Sequence, residues 1–597
     1  MSSVALSEAS RASPCLIDIS NTAKESRVAV AQAVAELPWC SPCARKLDPM
    51  AALVWVDRAL PIKKFYLQRI ASNRRQFQRA NRFFGMDQVV DKCALTKAVE
   101  ASLAVRRACY PHKEVHTTLQ SGEAGSATGS DRLQSCLPRS WCLPRDENLL
   151  AELRCGTRPE VGADDTPAPE KTSVEGKARG LKDEDRWYIA KPDRGRCGRG
   201  IGLFSDPAKL VEEFRAGQLC VVEKPENSGS SSRTAAAKAE GSTSVVVQEY
   251  ISRPLLFRDT GCKFDLRIYV IIKRLSPTLE ALVFSEGLVR VATTPYTPPN
   301  ASNCQIATMH LTNSHVNSRV VGHKKIDTAE GVGPGITAAS VKYDDVDKKD
   351  AAQTKYTVTD TLDWISEMRG VPAADIWSDV CGSVSSAIAA IHPFAALKHA
   401  TCYGAGDKNS EGRCFQLLGV DVILDNNLKP WVLEINNSPS LNLSTAVDER
   451  IKLPLIKSFL AEVFGREDRG AIDACASPRF EPLKIRGDAK IALDVQVSVL
   501  ECYKQLCGHR IGSHRPLTST KPARDMHTKL SKKVAAAAAM AAADSDGAML
   551  LWGQEALPSR AECDLWRFTI WITSLAKCSR VSLGDAVAEV RSVLNEK

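Results

Sequence analysis

Residues 412–443, GRCFQLLGVDVILDNNLKPWVLEINNSPSLNL, constrain this chain more than any other stretch, because they set acids inside two apolar, strand-forming runs. FQLLGVDVIL and KPWVLEIN are rich in β-branched and apolar residues, and the turn formers Asp425, Asn426 and Asn427 lie between them. The pattern predicts an antiparallel hairpin. With the loop closing near Asn427 and Leu428, Asp421 faces Glu434 across the ladder, and the period of two places Asn436 on the same face. Two solvent-facing acids on an ordinary hairpin would be the plainer alternative. Yet an uncompensated charge inside an apolar run is costly to bury. Two carboxylates and an amide oxygen form a hard donor set suited to Mg²⁺, which keeps several waters and takes further ligands from substrate phosphates.

At 597 residues the chain exceeds one typical domain, so one large core of two or three subdomains with extensions is expected. No run of about 18 apolar residues occurs, and MSSVALSEASRASPC lacks the basic and apolar regions of a secretory signal, so a soluble protein is expected. The 20 cysteines follow no regular spacing, which suits a reducing compartment better than a disulfide framework. Net charge is +9, but basic residues cluster. Residues 58–86 carry Arg58, Lys63, Lys64, Arg69, Arg74, Arg75, Arg79 and Arg82 with no acid, and residues 502–533 carry eight Lys or Arg against Asp525 alone. Each cluster is either a solvated helix face or a patch for an acidic polymer.

Residues 1–50 show no sustained periodicity and are expected to be flexible. From Ala52 to about Leu153 the pattern is mixed helix and strand, interrupted by SGEAGSATGS at 121–130. A polar linker begins at Thr157. A strand-rich unit runs from Trp187 to about Phe464, with a helical interval at 376–391 and insertions at 226–243, 297–308 and 319–356. Beyond it the chain turns basic, then alanine-rich at 534–544, a spacer-like composition. Trp552, Trp566 and Trp571 mark a small helical unit at the end.

WYIAKPDRGRCGRGIGLF, from Trp187, reads as a strand bearing Lys191, then a glycine-rich loop. Glycines let backbone N–H groups approach phosphate oxygens, and a lysine at the entrance supplies a point charge. No Walker motif is present, and such a loop alone is also what an ordinary turn looks like. VVVQEYISRPLLF ends a β run in Gln248, Glu249 and Tyr250, a hinge whose backbone would read an adenine edge. In GCKFDLRIYVII, Lys263, Asp265, Arg267 and Tyr269 alternate with Phe264, Leu266 and Ile268, so four polar residues share one strand face. Either they form a structural salt-bridge set, or Arg267 neutralises charge on a transferring phosphoryl group. LEALVFSEGLVRVATTPY repeats the device with Arg290, and HLTN adds Thr312 and Asn313.

The ordered series KPDRGRCGRGIGL, QEYISRPLL, KFDLRIYV, EGLVRVATTPY, HLTN and LLGVDVILDNNLKPWVLEINNSPSL resembles the tubulin-tyrosine-ligase-like family of the ATP-grasp superfamily. The resemblance covers about 187–464, and NRFFGMDQVVDKCALTKAV extends it to about residue 80. It implies an α/β (α+β) fold: an ATP-grasp core with an N-terminal α/β subdomain, long loop insertions and a basic, partly helical C-terminal extension. The corresponding divisions are a flexible 1–50, an N-terminal and linker part at 51–180, a catalytic core at 181–465, a basic microtubule-binding candidate at 466–533, and a spacer with a helical unit at 534–597.

Residue by residue, the resemblance implies that Lys191 and Lys92 contact ATP phosphates under a flexible loop containing Gly198 and Gly200. Gln248, with the backbone at Tyr250 and Ile251, would hold adenine, and Lys263 and Asp265 would border the nucleotide. Asp421, Glu434 and Asn436 would hold Mg²⁺. Arg267 would stabilise acyl-phosphate and tetrahedral intermediates, while Arg290, Thr312 and Asn313 would face the amino-acid or acceptor side. Glu249 stands where lysine is common in the family. The implied function is an ATP-dependent ligase adding glutamate to glutamate side chains of tubulin tails. Its partners would be tubulin or microtubules, through acidic C-terminal tails, and free glutamate; no nucleic acid or membrane is expected. A cytoplasmic, cytoskeletal setting follows, with axoneme and basal body as candidate sites.

Glycine or tyrosine ligation within the family is a close rival, and an inactive microtubule-binding protein is a rival of another class. The latter should have lost a metal ligand or the phosphate-binding arginine, whereas Asp421, Glu434, Asn436, Lys191 and Arg267 are all present. WCSPC, from Trp39, imitates a thioredoxin motif without its strand-to-helix context, and no second CxxC or histidine pair completes a zinc site. His310 and His315 flank HLTN and either reach the site or serve as local hydrogen-bonding residues.

Overall fold

Strands that alternate charged and apolar residues in the sequence assemble into a seven-stranded antiparallel sheet. Its main order is Lys355–Thr357, Glu280–Pro295, Cys262–Arg274, Gln416–Leu424 and Pro430–Asn436. Leu256–Phe257 and Phe480–Pro482 pair at its flanks. The computed structural model describes residues 14–44, 48, 50–56, 78–110, 114–116, 132–153, 186–195, 198–219, 244–276, 278–321, 354–403, 412–465, 478–506, 565–578 and 582–595. The alanine run, the 121–130 loop, the polar linker from Thr157, the 226–243 insertion, nearly all of 319–356 and most of both basic clusters lie outside those residues.

The two faces of the central strand explain the whole architecture. Leu266, Ile268, Val270 and Ile272 enter one apolar cluster, shared with Leu418, Val420 and Val422 of the neighbouring strand. The helix Ala373–Tyr403 covers this face with Ile376, Val380, Val384, Ile388 and Ile391, all essentially inaccessible. Residues 373–400 of this helix are long and apolar enough to cross a membrane, but two thirds of its most apolar window is buried inside the protein. On the opposite face, Lys263, Asp265 and Arg267 give way along the strand to Tyr269 and Ile271, which join a second cluster beneath the helix Ala446–Phe464. That helix begins with a capping box between Thr445 and Asp448.

A smaller antiparallel sheet, ordered Ser140–Leu143, Val245–Glu249, Tyr188–Pro192 and Gly202–Phe204, lies across the polar end of the large one. Its other side packs on Leu150, Leu210 and Val211 of two short helices.

The N-terminal segment expected to be flexible is instead a strand, helix, strand unit from residue 15 onward. Cys15–Asn21, Cys40–Pro42, Leu53–Val56 and Arg79–Ala80 form a parallel sheet, crossed by the helix Lys24–Ala35. Ala29, Val30, Ala33 and Val34 bury the helix against Leu455 and Phe459 of the 446–464 helix. Trp55 meets Phe459 edge-on at 5.1 Å. Parallel strands buried on both faces read as short apolar runs without alternation, which hides them in a sequence. The WCSPC cysteines fall here as Cys40, buried in a strand, and Cys43, whose thiol is pushed up to about 11 by burial; neither forms a disulfide. That environment does not activate a thiol.

The last helices, Leu565–Cys578 and Leu583–Asn595, pack against Gly487–Leu506 and Lys92–Cys109. Phe568, Ile572 and Val590 belong to the same cluster as the central sheet, and Trp566 receives the Arg145 guanidinium at 4.8 Å and the Lys97 ammonium at 5.8 Å.

Candidate active site

Lys191 lies within the strand Tyr188–Pro192, buried between the two sheets, and its ammonium donates to Gln248 Oε1 at 2.7 Å. Gln248 in turn donates to Ser140 Oγ at 3.0 Å, so three strands fix the lysine. Burial lowers its pKa to about 8 despite the attraction of Glu434. The following loop turns through Gly198 at φ +74° and Gly200 at φ +70°. A Cβ at Gly198 would stand 2.9 Å from Val316 Cγ2, so glycine lets the loop lie against the segment bearing Asn313. Lys92 opens the helix Lys92–Cys109 and donates to Gly195 O at 3.1 Å and Asp193 O at 3.4 Å, with Glu434 Oε2 3.8 Å away. It therefore ties the glycine loop to the acidic hairpin.

The strand Val245–Glu249 runs on into Tyr250 and Ile251, and Ile189, Ile201, Ile251, Ile423 and Leu433 form apolar walls around the cleft. A polar chain crosses its back: Lys263 Nζ donates to Tyr250 Oη at 2.9 Å, Tyr250 Oη lies 3.0 Å from His310 Nδ1, and His310 Nε2 lies 3.1 Å from Asn303 O. A neutral imidazole protonated on Nε2 satisfies every link. Burial, then the Lys263 charge, lowers the His310 pKa to about 4, in keeping with that state. Burial and repulsion from Lys191 bring Lys263 to about 7.

At the other end of the cleft the hairpin pairs as expected, Asp421 with Glu434 and Gly419 with Asn436. Leu428 closes its turn at φ +63°. One feature was not legible: Val422 pairs with Val432, so an extra residue, Leu433, bulges from the second strand. The bulge lets consecutive residues Leu433 and Glu434 both line the cleft, one apolar and one charged. Asp421 is held by Arg267 at 2.5 and 3.1 Å and by Arg290 at 2.8 Å, and Arg290 also grips Asp265 at 2.7 and 2.5 Å. Burial works to raise the Asp421 pKa, but the two guanidinium groups hold it well below the usual carboxylate range. Thr312 Oγ1 donates to Asp265 Oδ2 at 2.5 Å. Gly419 makes room for this arrangement, since a Cβ there would lie 2.9 Å from both Arg267 Cδ and Pro439 Cβ.

The structure thus gathers the candidates. Lys191, Gln248, Tyr250, Ile251, Lys263, Asp265, Arg290, Thr312, Asn313, Asp421 and Glu434 line one cleft. Arg267 and Asn436 join through Asp421, Lys92 through Glu434, and Gly198 through Asn313, while Gly200 sits in the adjoining loop. Sequence reasoning missed Leu433, Ile423 and Ser140, and left His310 between reaching the site and a local hydrogen-bonding role; it lines the cleft. Among the described residues no cluster of three His, Cys, Asp or Glu side chains is placed to hold a metal. The donor set at the hairpin is two carboxylates and the Asn436 amide, whose Nδ2 lies 3.2 Å from Glu434 Oε1 and 3.5 Å from Asp421 Oδ2. With that amide turned to present its oxygen, the set fits Mg²⁺, which takes one or two carboxylates plus substrate phosphates, and fits a softer ion poorly.

Two sheets enclosing a cleft, with lysines and a glycine loop on one side and acids and arginines on the other, define an α/β fold of the ATP-grasp kind. The chain belongs to the tubulin-tyrosine ligase family, whose model matches residues 130–363 and 336–470, more than half of its length. It is 26% identical to "Tubulin polyglutamylase TTLL13" of Homo sapiens over 68% of this chain and 36% of that protein. It is 25% identical to "Tubulin polyglutamylase TTLL6" of Mus musculus over 68% of this chain and 35% of that one, and to "Tubulin polyglutamylase TTLL7" of Homo sapiens over 68% and 34%. The chain spans about a third of the length of these curated relatives.

Proposed function

We propose that this chain is an ATP-dependent carboxylate-amine ligase that adds glutamate to glutamate side chains of tubulin tails. The observation that carries this reading is the convergence of Lys191, Arg267, Arg290, Asp421 and Glu434 on one cleft in a chain of this family. Amide synthesis from a free carboxylate needs activation. An acceptor carboxylate oxygen attacks the γ-phosphorus of ATP and ADP leaves. The amine nitrogen of the incoming amino acid then attacks the acyl carbon, the C–N bond forms, and phosphate departs with loss of a proton from nitrogen.

The residues divide this work between positioning and charge stabilisation. Lys191 and Lys92 would bind the phosphates beneath the loop of Gly198 and Gly200. Gln248 and the backbone at Tyr250 and Ile251 would hold the base, with Lys263 and Asp265 bordering the nucleotide. Asp421, Glu434 and Asn436 would hold Mg²⁺, which when bound offsets phosphate charge. Arg267 would neutralise the developing oxyanions, and Arg290, Thr312 and Asn313 would face the acceptor side. The names of the relatives support tubulin as acceptor, and with it a cytoskeletal setting.

The test is incubation of the protein, with Glu434→Gln as control, with microtubules, Mg-ATP and glutamate, glycine or tyrosine in turn, followed by mass spectrometry of the tails. A wild-type-only gain of one or more glutamate masses is the expected result. A glycine or tyrosine increment would reassign the amino acid, and ATP binding with no increment in any arm would defeat the ligase reading.

A further inference from the structure

Arg82 belongs to the basic 58–86 cluster, yet its side chain points inward rather than to a partner's surface. Nη1 donates to Asn437 O at 2.7 Å, Nη2 to Ser438 Oγ at 2.7 Å, and Nε to Val56 O at 3.3 Å. Asn437 follows directly on Asn436, the last of the three candidate metal-holding residues. The same Asn437 carbonyl takes a second hydrogen bond from Gln416 Nε2 at 2.6 Å, and Gln416 Oε1 accepts from Phe83 N at 3.1 Å. Beside these, Ala80 N donates to Arg413 O at 2.7 Å and Phe415 N to Ala80 O at 2.9 Å. The segment 80–83 therefore stitches together the entry to the first hairpin strand and the exit from the second.

We infer that Arg82 is a positioning residue for the metal-holding end of the hairpin, fixing Asn436 through the Asn437–Ser438 backbone. The inference rests on the reading of Asp421, Glu434 and Asn436 as a site for a divalent cation with ATP. The physical argument is geometric. A planar guanidinium spans a carbonyl and a hydroxyl on consecutive residues while its third nitrogen anchors to the 53–56 strand, and its rigid fork holds these three points at fixed spacing, which the single nitrogen of a lysine does not. Asn436 has only a short side chain to bring to the carboxylates, so a shift of the backbone that follows it moves its amide directly. Pro439 lies close against the first hairpin strand, its Cβ 2.9 Å from where a Cβ of Gly419 would stand.

The test uses the full chain with Arg82→Gln, Arg82→Lys and Ser438→Ala. Mn²⁺ binding is titrated by electron paramagnetic resonance in the presence of a non-hydrolysable ATP analogue. Metal-free binding of the analogue and the thermal midpoint are measured alongside. The expected result is a rise in the Mn²⁺ dissociation constant of about tenfold for Arg82→Gln, the scale set by groups that orient metal ligands. Arg82→Lys and Ser438→Ala should lose less, because each keeps part of the clasp, and metal-free analogue binding should stay at the wild-type value. Wild-type Mn²⁺ affinity in all three variants would overturn the inference. So would parallel loss of metal affinity, metal-free analogue binding and thermal midpoint, which describes a merely structural residue. Failure of the wild-type protein to bind Mn²⁺ with the analogue is a separate result that would overturn the nucleotide reading itself.

Discussion

Asp421 is the residue on which the candidate site turns, because it is almost fully buried and is the common partner of Arg267 and Arg290. Replacing it by asparagine leaves Arg267 buried without its carboxylate, and a broken buried ion pair typically costs about 3–5 kcal/mol. Glu434 is different: its side chain is 26% exposed and its lysine partner is 3.8 Å away, a pair worth about 0–1 kcal/mol. Asp421→Asn should therefore lower the urea midpoint strongly and Glu434→Gln barely, while both abolish ligation. Equal midpoints would contradict the buried-pair argument. The lysines carry a second prediction. Lys263 and Lys191 are lowered to about 7 and about 8, so above those values each is neutral in the free protein. A bound polyphosphate favours the charged form and raises both. Nucleotide binding should take up protons at about pH 8.5 and none at about pH 6, where both lysines are already charged, as calorimetry in buffers of different ionisation enthalpy would report. The same groups make the free protein gain stability with rising pH from about 7 to their unfolded value near 10.5, since the unfolded chain binds more protons across that window. The acids, the arginines, Lys191 and Lys263 were legible because each interrupts an apolar strand, whereas Lys92 opens a helix and stood out only through the resemblance. Arg82 was not legible in this role: it meets Asn437 across 355 residues, and composition showed only another positive charge.

Elements position these groups through two close approaches of backbone. Gly419 faces Arg267 and Pro439, so Gly419→Ala must displace one of them, a misfit of about 1–3 kcal/mol in a packed site. Ligation should fall while far-ultraviolet dichroism is kept, and unchanged activity would show that Arg267 has a second workable position. The hairpin itself was legible in its register from Asp421 outward, as turn formers and apolar runs fix the pairing. Its bulge was not, because Leu433 carries none of the glycine or proline marks of an irregular strand. Extended from the Leu424–Pro430 and Val422–Val432 pairs without the bulge, the ladder would have set Asp421 opposite Leu433, with Glu434 on the other face. The helix 24–35 was overlooked for a related reason: its buried stripe is made of alanine and valine, which contrast weakly with the residues around them.

At the scale of the molecule, the N-terminal sheet, the seven-stranded sheet and the 446–464 helix share one apolar cluster. A chain beginning at residue 50 would strip Leu53, Val54 and Val56 of the Cys15–Asn21 strand and remove the 24–35 helix from the cluster around Phe459, so it should lose cooperative unfolding and become sensitive to protease. Retention of the full-length thermal midpoint would mark residues 15–42 as an appendage. The expected boundary at residue 50 was an artefact of reading short buried strands as irregular chain. The C-terminal helices were recognised as helical, but their packing against the Lys92 helix depends on contacts that no local pattern encodes. One face of the Cys262–Arg274 strand carries Lys263, Asp265 and Arg267 and then, without a break, Tyr269 and Ile271 of that shared interior. The candidate reacting groups are thus mounted on the same rail of backbone as the oily interior. Warming that loosens the interior will blur the aim of Arg267 first, so catalysis should fade several degrees below the temperature at which the chain unfolds.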